Sequence, residues 1–593
     1  MNFKKLLSIV TVLLFSLSIV SAQTIPSSRT VNWADAGIQT TQTSPSVSFN
    51  FINNGGIPDG MTTNDTVLTN IMSSLNPGDS AIIYFPNGDY LFNQTMNLTS
   101  NIFLIGESSD STILKFDLGG AGNLISINGN QSLDTATITQ NIYKGDLSIN
   151  YNGSNLFNPG DFIRLIDNDS SNITSIWAIG TSGQIAKIDS INGPTIYVHN
   201  EIRRSYALSN NPIIVRLNMI ENNKIESLSI LRLDSTAGQT SNINFAYAHN
   251  STVNCVKSNF CNFSHVDVQY SSNIEISGSY FQDSYGYGSG GRGYGIMLQF
   301  TSGECLVSNN KFNHLRHSII LQAGANGNVL AYNFSINPFW TGLSLPSDAA
   351  GDLVLHGNYT YANLFEGNTT QNIVIDNSHG INGPNNTFFR NRAESYGIVM
   401  NSPQATDSVN FVGNEIPNSA LFKGNYLLAG VGHFQHGNNV RGILTPAGTG
   451  TLADSSYFLS SPPSYYLSNS SWPPIGTPNA NNAHMIEAEE EYNTGNLTQC
   501  AIPITTSTKN PSPIEENKIN VYPNPFSSII NISAISSPSR INRVAIYSSL
   551  GKLIYQSKQN KSSINLGSKP NGLYIIQLTY TDGNSLSKKL IKR

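Results

Sequence analysis

Five segments place a hydrophobic residue three positions ahead of an asparagine: Val307 before Asn310, Leu330 before Asn333, Phe365 before Asn368, Phe388 before Asn391 and Phe411 before Asn414. The asparagines are separated by 23, 35, 23 and 23 residues. A fixed period of this length, with short β-branched runs broken by Asn and Gly in each unit, predicts a parallel β-solenoid in which every unit is one coil. A coil cannot bury its apolar face alone, whereas coils stacked about 4.8 Å apart make one continuous core. Asn suits the turns because it tolerates left-handed backbone angles, and in register its amides bond from coil to coil. The long interval contains Ile336-Asn337-Pro338-Phe339-Trp340 and a Gly/Ser/Pro-rich stretch, an insertion looping out of one coil.

The rest of the chain fits an extracellular β-rich protein. Only 12% of its 593 residues are charged and the net charge is -5, so nothing in it predicts nucleic-acid binding. Lys4 and Lys5, an apolar run and Val20-Ser21-Ala22 read as a signal peptide over residues 1–22. No later run approaches the roughly 18 apolar residues of a membrane span, so the mature chain is expected to be secreted or surface-attached and monomeric, not integral. Cys255, Cys261, Cys305 and Cys500 are too scattered for a disulfide framework or a zinc site. They leave room for one disulfide or for buried small hydrophobes.

Near the N-terminus, Asn64 or Asp65 precedes Val67, Leu68, Ile71, Met72 and Leu75, predicting a capped amphipathic helix over the first coil. The strands Ala81-Ile82-Ile83-Tyr84-Phe85 and Ile102-Phe103-Leu104-Ile105-Gly106 follow. With Asp59-Gly60, Asn64-Asp65-Thr66 and Pro86-Asn87-Gly88-Asp89-Tyr90, this region resembles the pectate-lyase-like, right-handed parallel β-helix proteins. That resemblance implies an extracellular protein, often polysaccharide-active, with substrate lying across one long sheet. It extends the solenoid over residues 23–440, followed by a Pro/Ser/Asn-rich extension and linker over 441–515 in which Tyr465, Tyr466 and Trp472 can pack on the last coils. Residues 516–593 alternate apolar and polar positions and predict a small β-sandwich. Tyr522-Pro523-Asn524-Pro525, Leu550-Gly551-Lys552 and Gly572-Leu573-Tyr574 in this segment resemble the type A C-terminal sorting domain of the type IX secretion system of Bacteroidetes. The implied partner is that secretion machinery. The expected fold is therefore all-β, a right-handed parallel β-helix capped by a short N-terminal helix and followed by a β-sandwich.

Counting back from the repeating asparagines gives candidate site positions. His356 and His379 both lie twelve residues before a repeat Asn, and Arg316, His317, Asp352 and Asp376 fall near the same stretch of their coils. These six are the candidate catalytic residues. An imidazole beside a carboxylate works as a general base or acid near neutral pH, and Arg neutralises a uronate carboxylate. Hydrolysis instead needs two carboxyl groups, for which Asp352 and Asp376 are the candidates. Arg292, Trp340, Tyr361, Arg390 and Arg392 are candidate substrate contacts, Trp340 and Tyr361 by stacking on sugar rings. Gln299 and Gln322 fall in register as a ladder pair, and the glycines of residues 286–295 form a loop, with no helix pattern to make them a phosphate cradle. The Asn-Thr-Asp, paired-Asp, Gly-His-Gly and Arg-Ile-Lys series of polygalacturonases is missing, so family active-site residues do not carry over. Calcium is compatible with such a protein, but no residue pattern requires a metal or cofactor. The expected function is that of a secreted lyase or hydrolase of plant or algal polysaccharide, and the alternative is a non-catalytic adhesin or glycan-binding solenoid.

Overall fold

The computed structural model describes residues 24–498 and 519–593, apart from short segments that include 401–405, 467–471, 478–484, 535–540 and 581–584. The signal-peptide reading and most of the linker lie outside the described residues. The chain divides into two units, residues 1–500 and 501–593.

The first unit is a parallel β-helix with three faces. Sheet A runs from Val47–Asn50 through Ala81–Phe85, Ile102–Gly106 and the coils above to Phe434–His436, with every pairing parallel. Sheet B rises from Gly88–Phe92 to Asn438–Val440, and sheet C from Ile125–Asn128 through Ser264–Gln269, Tyr294–Gln299, His317–Leu321 and Leu353–Leu355 to Asn425–Leu427. The hydrophobic member of each repeat is a core position: Val307, Leu330, Phe365, Phe388 and Phe411 are direct partners across successive strands of sheet A. The three phenylalanines stack at 4.5 and 5.4 Å, and their contacts from coil to coil fix the register. Helix Asp65–Ser73 buries Leu68 and Ile71 in the first coil, as the pattern predicts.

The repeat asparagines form a buried amide ladder. Asn310, Asn333, Asn368 and Asn391 each donate Nδ2–H to Oδ1 of the next, and Asn414 donates to a sixth rung at Asn438. A second ladder runs from Asn328 through Asn363 to Asn386. The left-handed backbone expected at the repeat asparagine falls one residue earlier, on Asn309, Tyr332, Gly367, Arg390 and Gly413, with φ between 53° and 67°. Turning the chain at that residue leaves the Asn free to aim its amide inward, where a buried polar group needs every partner it can reach.

A six-stranded closed antiparallel barrel interrupts the solenoid between the coil strands Ile125–Asn128 and Lys224–Glu226. Its strands are Asn130–Ile138, Ser148–Asn152, Phe162–Ile166, Gln184–Asn192, Thr195–Val198 and Ile213–Asn218, around a core that includes Ile149, Ile163, Leu165, Ile196 and Ile214. The expected solenoid over 23–440 thus contains a folded insertion. Its signals in the sequence are the loss of the coil period and the Gly193-Pro194 hairpin turn. The barrel leans along the turn between sheets C and A. Arg203 pairs with Glu304 and donates to Asn326 at 2.9 Å, and Thr181 and Gly183 accept from Thr301 and Tyr361. Approach is so close that a Cβ at Gly324 would sit 1.8 Å from the Thr181 carbonyl.

The described residues between 441 and 498 wrap the solenoid rather than forming only a linker. Tyr457, Phe458 and Tyr465 pack on Trp33, Tyr332 and Phe389, and helix Glu487–Thr494 brings Glu491 onto the buried Lys311. Cys255 is disulfide-bonded, while Cys261 and Cys305 are free and buried. The second unit holds a three-stranded and a four-stranded antiparallel sheet around Phe526, Ile530, Val544, Ile546, Ile576 and Leu578. Its first strand, Ile519–Tyr522, ends at the Tyr522-Pro523-Asn524-Pro525 motif.

Candidate functional site

The outer face of sheet C carries a cleft of about 690 Å³ that crosses five coils, from Asp267 through Gln299 and Gln322 to His356 and His379. Met297 lines its floor and continues beneath it into the buried apolar row Ile320 and Val354, alternate to the core positions Ile296, Ile319 and Leu353 as the pleat requires. One wall is the glycine loop at 290–291, braced by the insertion through Thr341, whose N–H donates to the Tyr287 carbonyl. The other wall is the barrel loop bearing Trp177.

At the upper end, His356 Nδ1 lies 2.8 Å from Asp376 Oδ2. Their backbones follow directly on the paired residues Leu355 and Ile375, so the dyad is a coil-to-coil contact on one line. Burial pushes the Asp376 carboxyl up, but the hydrogen bond and charge of His356, the Ser378 amide and His317 outweigh it and hold it below its ordinary value. His356 Nε2 has no hydrogen bond among the described residues. His317 stacks on Tyr294 at 5.2 Å, bonds the Gly351 carbonyl at 2.7 Å, and sits with its ring 6.2 Å from that of His356. Burial, then Arg316 and His356, lower the His317 imidazole to about 3. His379 meets His356 edge-on at 4.8 Å and Ser175 Oγ of the barrel at 3.3 Å, and is lowered chiefly by burial.

His379 reaches this position from a turn, not as the strand partner of His356. The turn joining sheet C to sheet A is three residues longer in its coil, 16 residues from Ile375 to Asn391 against 13 from Leu355 to Asn368. A count made backward across that turn therefore puts His379 in register with His356 when Asp376 occupies the place. Arg316 lines the cleft with its guanidinium beside Tyr294 and Trp340 and bonded to the Gly288 carbonyl.

The other expected site residues lie elsewhere. Asp352 is buried and accepts from Ser335 Oγ and from the backbone N–H groups of Gln371 and Asn372, so it ties neighbouring coils together and does not pair with Asp376 across a substrate. Tyr361 is buried against the barrel. Arg390 anchors the C-terminal wrap through the carbonyls of Asp454, Ile475 and Thr477, and Arg392 pairs with Glu415 on sheet B. Arg292 donates to the Ala237 carbonyl behind the glycine loop. Trp340 packs beside Arg316.

Three site features escaped sequence reasoning. Asp267 is buried at the lower end and accepts from Gln269 at 2.6 Å and Gln299 at 2.9 Å; burial raises its carboxyl to about 6. Gln269 and Gln299 are register partners, and Gln322 donates to Gln299 at 2.8 Å, extending the expected pair into a chain of amides. The spacing of Gln299 and Gln322 carried part of that signal. Trp177 comes from the barrel, which no coil count reaches. A smaller hollow of about 300 Å³ on the other side of the barrel contains His249 and Glu221. Among the described residues no cluster of three or more His, Cys, Asp or Glu is placed to hold a metal ion.

Residues 48–179 match the family described as rhamnogalacturonase A/epimerase, pectate lyase-like, and residues 520–593 match the secretion system C-terminal sorting domain. The chain joins a pectate-lyase-like β-helix to a secretion sorting domain. That domain directs the protein through the type IX system to the cell exterior or surface, and no described helix is long and apolar enough to cross a membrane. No curated protein matches the chain. Similar solved structures include the tailspike protein gp49 from Pseudomonas phage LKA1, 15% identical over 66% of this chain and 72% of that one with a TM-score of 0.45. An exopolygalacturonase from Thermotoga maritima is 12% identical over 68% and 93% with a TM-score of 0.32. PfbA, a surface adhesin of Streptococcus pneumoniae, is 10% identical over 66% and 87% with a TM-score of 0.31.

Proposed function

We propose that this protein is a secreted polysaccharide lyase, with His356 as the base. The observation that carries the reading is the His356–Asp376 contact inside the cleft. A carboxylate that holds Nδ1–H fixes the tautomer, so Nε2 presents its lone pair to a ligand. In an elimination, Nε2 takes the proton α to a uronate carboxylate, the electron pair forms the C4=C5 double bond, and the C4–O bond breaks. The leaving oxygen is protonated by water in the open cleft. Arg316 is the cation available to the uronate carboxylate.

Hydrolysis fits less well. It needs carboxyl groups about 5–9.5 Å apart across the glycosidic bond. Asp267 lies three strand steps from Val354, about 14 Å along the axis at 4.8 Å per step. Asp352 has its oxygens committed to the backbone and Ser335.

Incubation of the purified protein with a panel of uronate and neutral polysaccharides tests the reading, with ultraviolet absorbance reporting unsaturated ends and a second assay reporting reducing ends. The expected result is both signals on a uronate polymer, with His356→Gln lowering the rate by about 10²–10⁴. Reducing ends without absorbance would indicate hydrolysis, and binding without either signal would indicate an adhesin or glycan-binding solenoid.

A further inference from the structure

The barrel loop at residues 174–179 carries apolar side chains open to solvent: Ile176 is 88% exposed, Ile179 57% and Trp177 46%. Trp177 is nevertheless held in place. Its indole meets Phe300 at 5.8 Å and His379 at 5.3 Å, both edge to face. Phe300 in turn ends a stacked column with Tyr270 and Tyr247, at 5.2 and 4.8 Å. The same cleft is lined by Gln269, Gln299 and Gln322, whose amides are tied to one another and to Asp267. A fixed indole and a line of oriented amides in one cleft form an amphipathic slot. A pyranose has the same two characters, an apolar C–H face and a rim of hydroxyls that both donate and accept.

We infer that Trp177 and the Gln269–Gln299–Gln322 row form a subsite for an uncharged pyranose ring beside the His356 position. The C–H face lies on the indole and the hydroxyls bond the glutamine amides. An uncharged ring is specified because the charged group among the amides is the Asp267 carboxylate, which repels a uronate. The inference deepens the glycan reading of the cleft without relying on proton transfer by His356.

Calorimetric titration of the full chain with tetrasaccharides of glucose, galactose and mannose, and with tetragalacturonate, tests it. At least one neutral tetrasaccharide should bind. Trp177→Ala should weaken that binding at least about ten-fold, the scale of losing an anchor residue, while Trp177→Phe retains most of it. His356→Gln should leave that affinity unchanged while lowering turnover of a uronate polymer by about 10²–10⁴, which separates the subsite from the catalytic proposal. Because Trp177 is half-exposed on a loop, an unchanged circular dichroism spectrum is expected for both loop variants. Three results would overturn the inference: no neutral tetrasaccharide binds, Trp177→Ala binds as the parent does, or tetragalacturonate is the ligand whose affinity depends on Trp177.

Discussion

Asp267 illustrates how burial turns an ordinary carboxylate into a pH-dependent liability. The folded chain keeps its proton up to about 6, while the unfolded chain releases it near 3.8. Between those values the folded state binds more protons, so stability falls as pH rises through the window and the loss is complete above it. Asp267→Asn removes the dependence. Relative to the parent, the variant should gain about 2 kcal/mol between pH 4 and pH 7, at 1.36 kcal/mol per unit, on top of a constant offset. Urea denaturation at several pH values measures this, and a difference that stays flat across the window would refute it. His317 behaves oppositely. It is held neutral down to about 3, so it contributes stability above its unfolded value near 6.5 that is lost as pH falls. Arg390 and Tyr332 show a different constraint, since both take the left-handed turn conformation disfavoured for side chains of their size. Both are held there by long-range bonds, Arg390 to the wrap and Tyr332 to Glu366.

Among the elements, the asparagine ladder is the part whose chemistry was readable from spacing, because the amide bonds repeat with the chain period. Its rungs are not equivalent. Asn368 Oδ1 accepts both the backbone N–H and the side-chain amide of Asn333. Asn310, at the lower end, accepts the Ser279 N–H. Substituting Asn368 with Ala strands two buried donors and should cost about 4 kcal/mol, against about 2 kcal/mol for Asn310→Ala, taking about 1–3 kcal/mol per unsatisfied group. Chemical denaturation of the two variants checks the order. The turn between sheets C and A is the counterpart that spacing missed. Its length varies between coils because it lies outside the paired strands, so it shifts every position counted across it. Asp376 therefore faces His356, and His379 joins them from a loop. Asp352, Arg390 and Arg392 had the right residue types for a site, but their side chains are committed to the strands of neighbouring coils, the wrap and sheet B.

For the whole molecule, the inserted barrel is the largest departure from the expected plan, since it converts an open sheet face into a walled cleft. Asn130 and Asn218 are paired at its base, so the insertion leaves and rejoins the solenoid at neighbouring points. Excising residues 130–218 behind a two-residue linker should leave the parallel β-helix folded, because Ile127 still pairs with Phe245 and Ile220 with Ala248. It should also abolish glycan binding and turnover, through loss of Ser175 and Trp177 from the cleft. Circular dichroism and the polysaccharide assay test the two halves of that statement; a shortened chain that keeps full activity would remove the barrel from the site.

The solenoid, its core column, its ladder and its sorting domain are all legible along the chain. Each of these is written in local or periodic patterns: one hydrophobic residue, one Asn and one turn per coil, or a contiguous motif. The tertiary structure alone decided which charged residues share the cleft. That choice depends on turn lengths, on alternation across a pleated sheet, and on a barrel that folds as a separate core and reaches the site from a different part of the chain. None of these leaves a fixed spacing in the sequence, because the contacts are made between surfaces and not along a repeat.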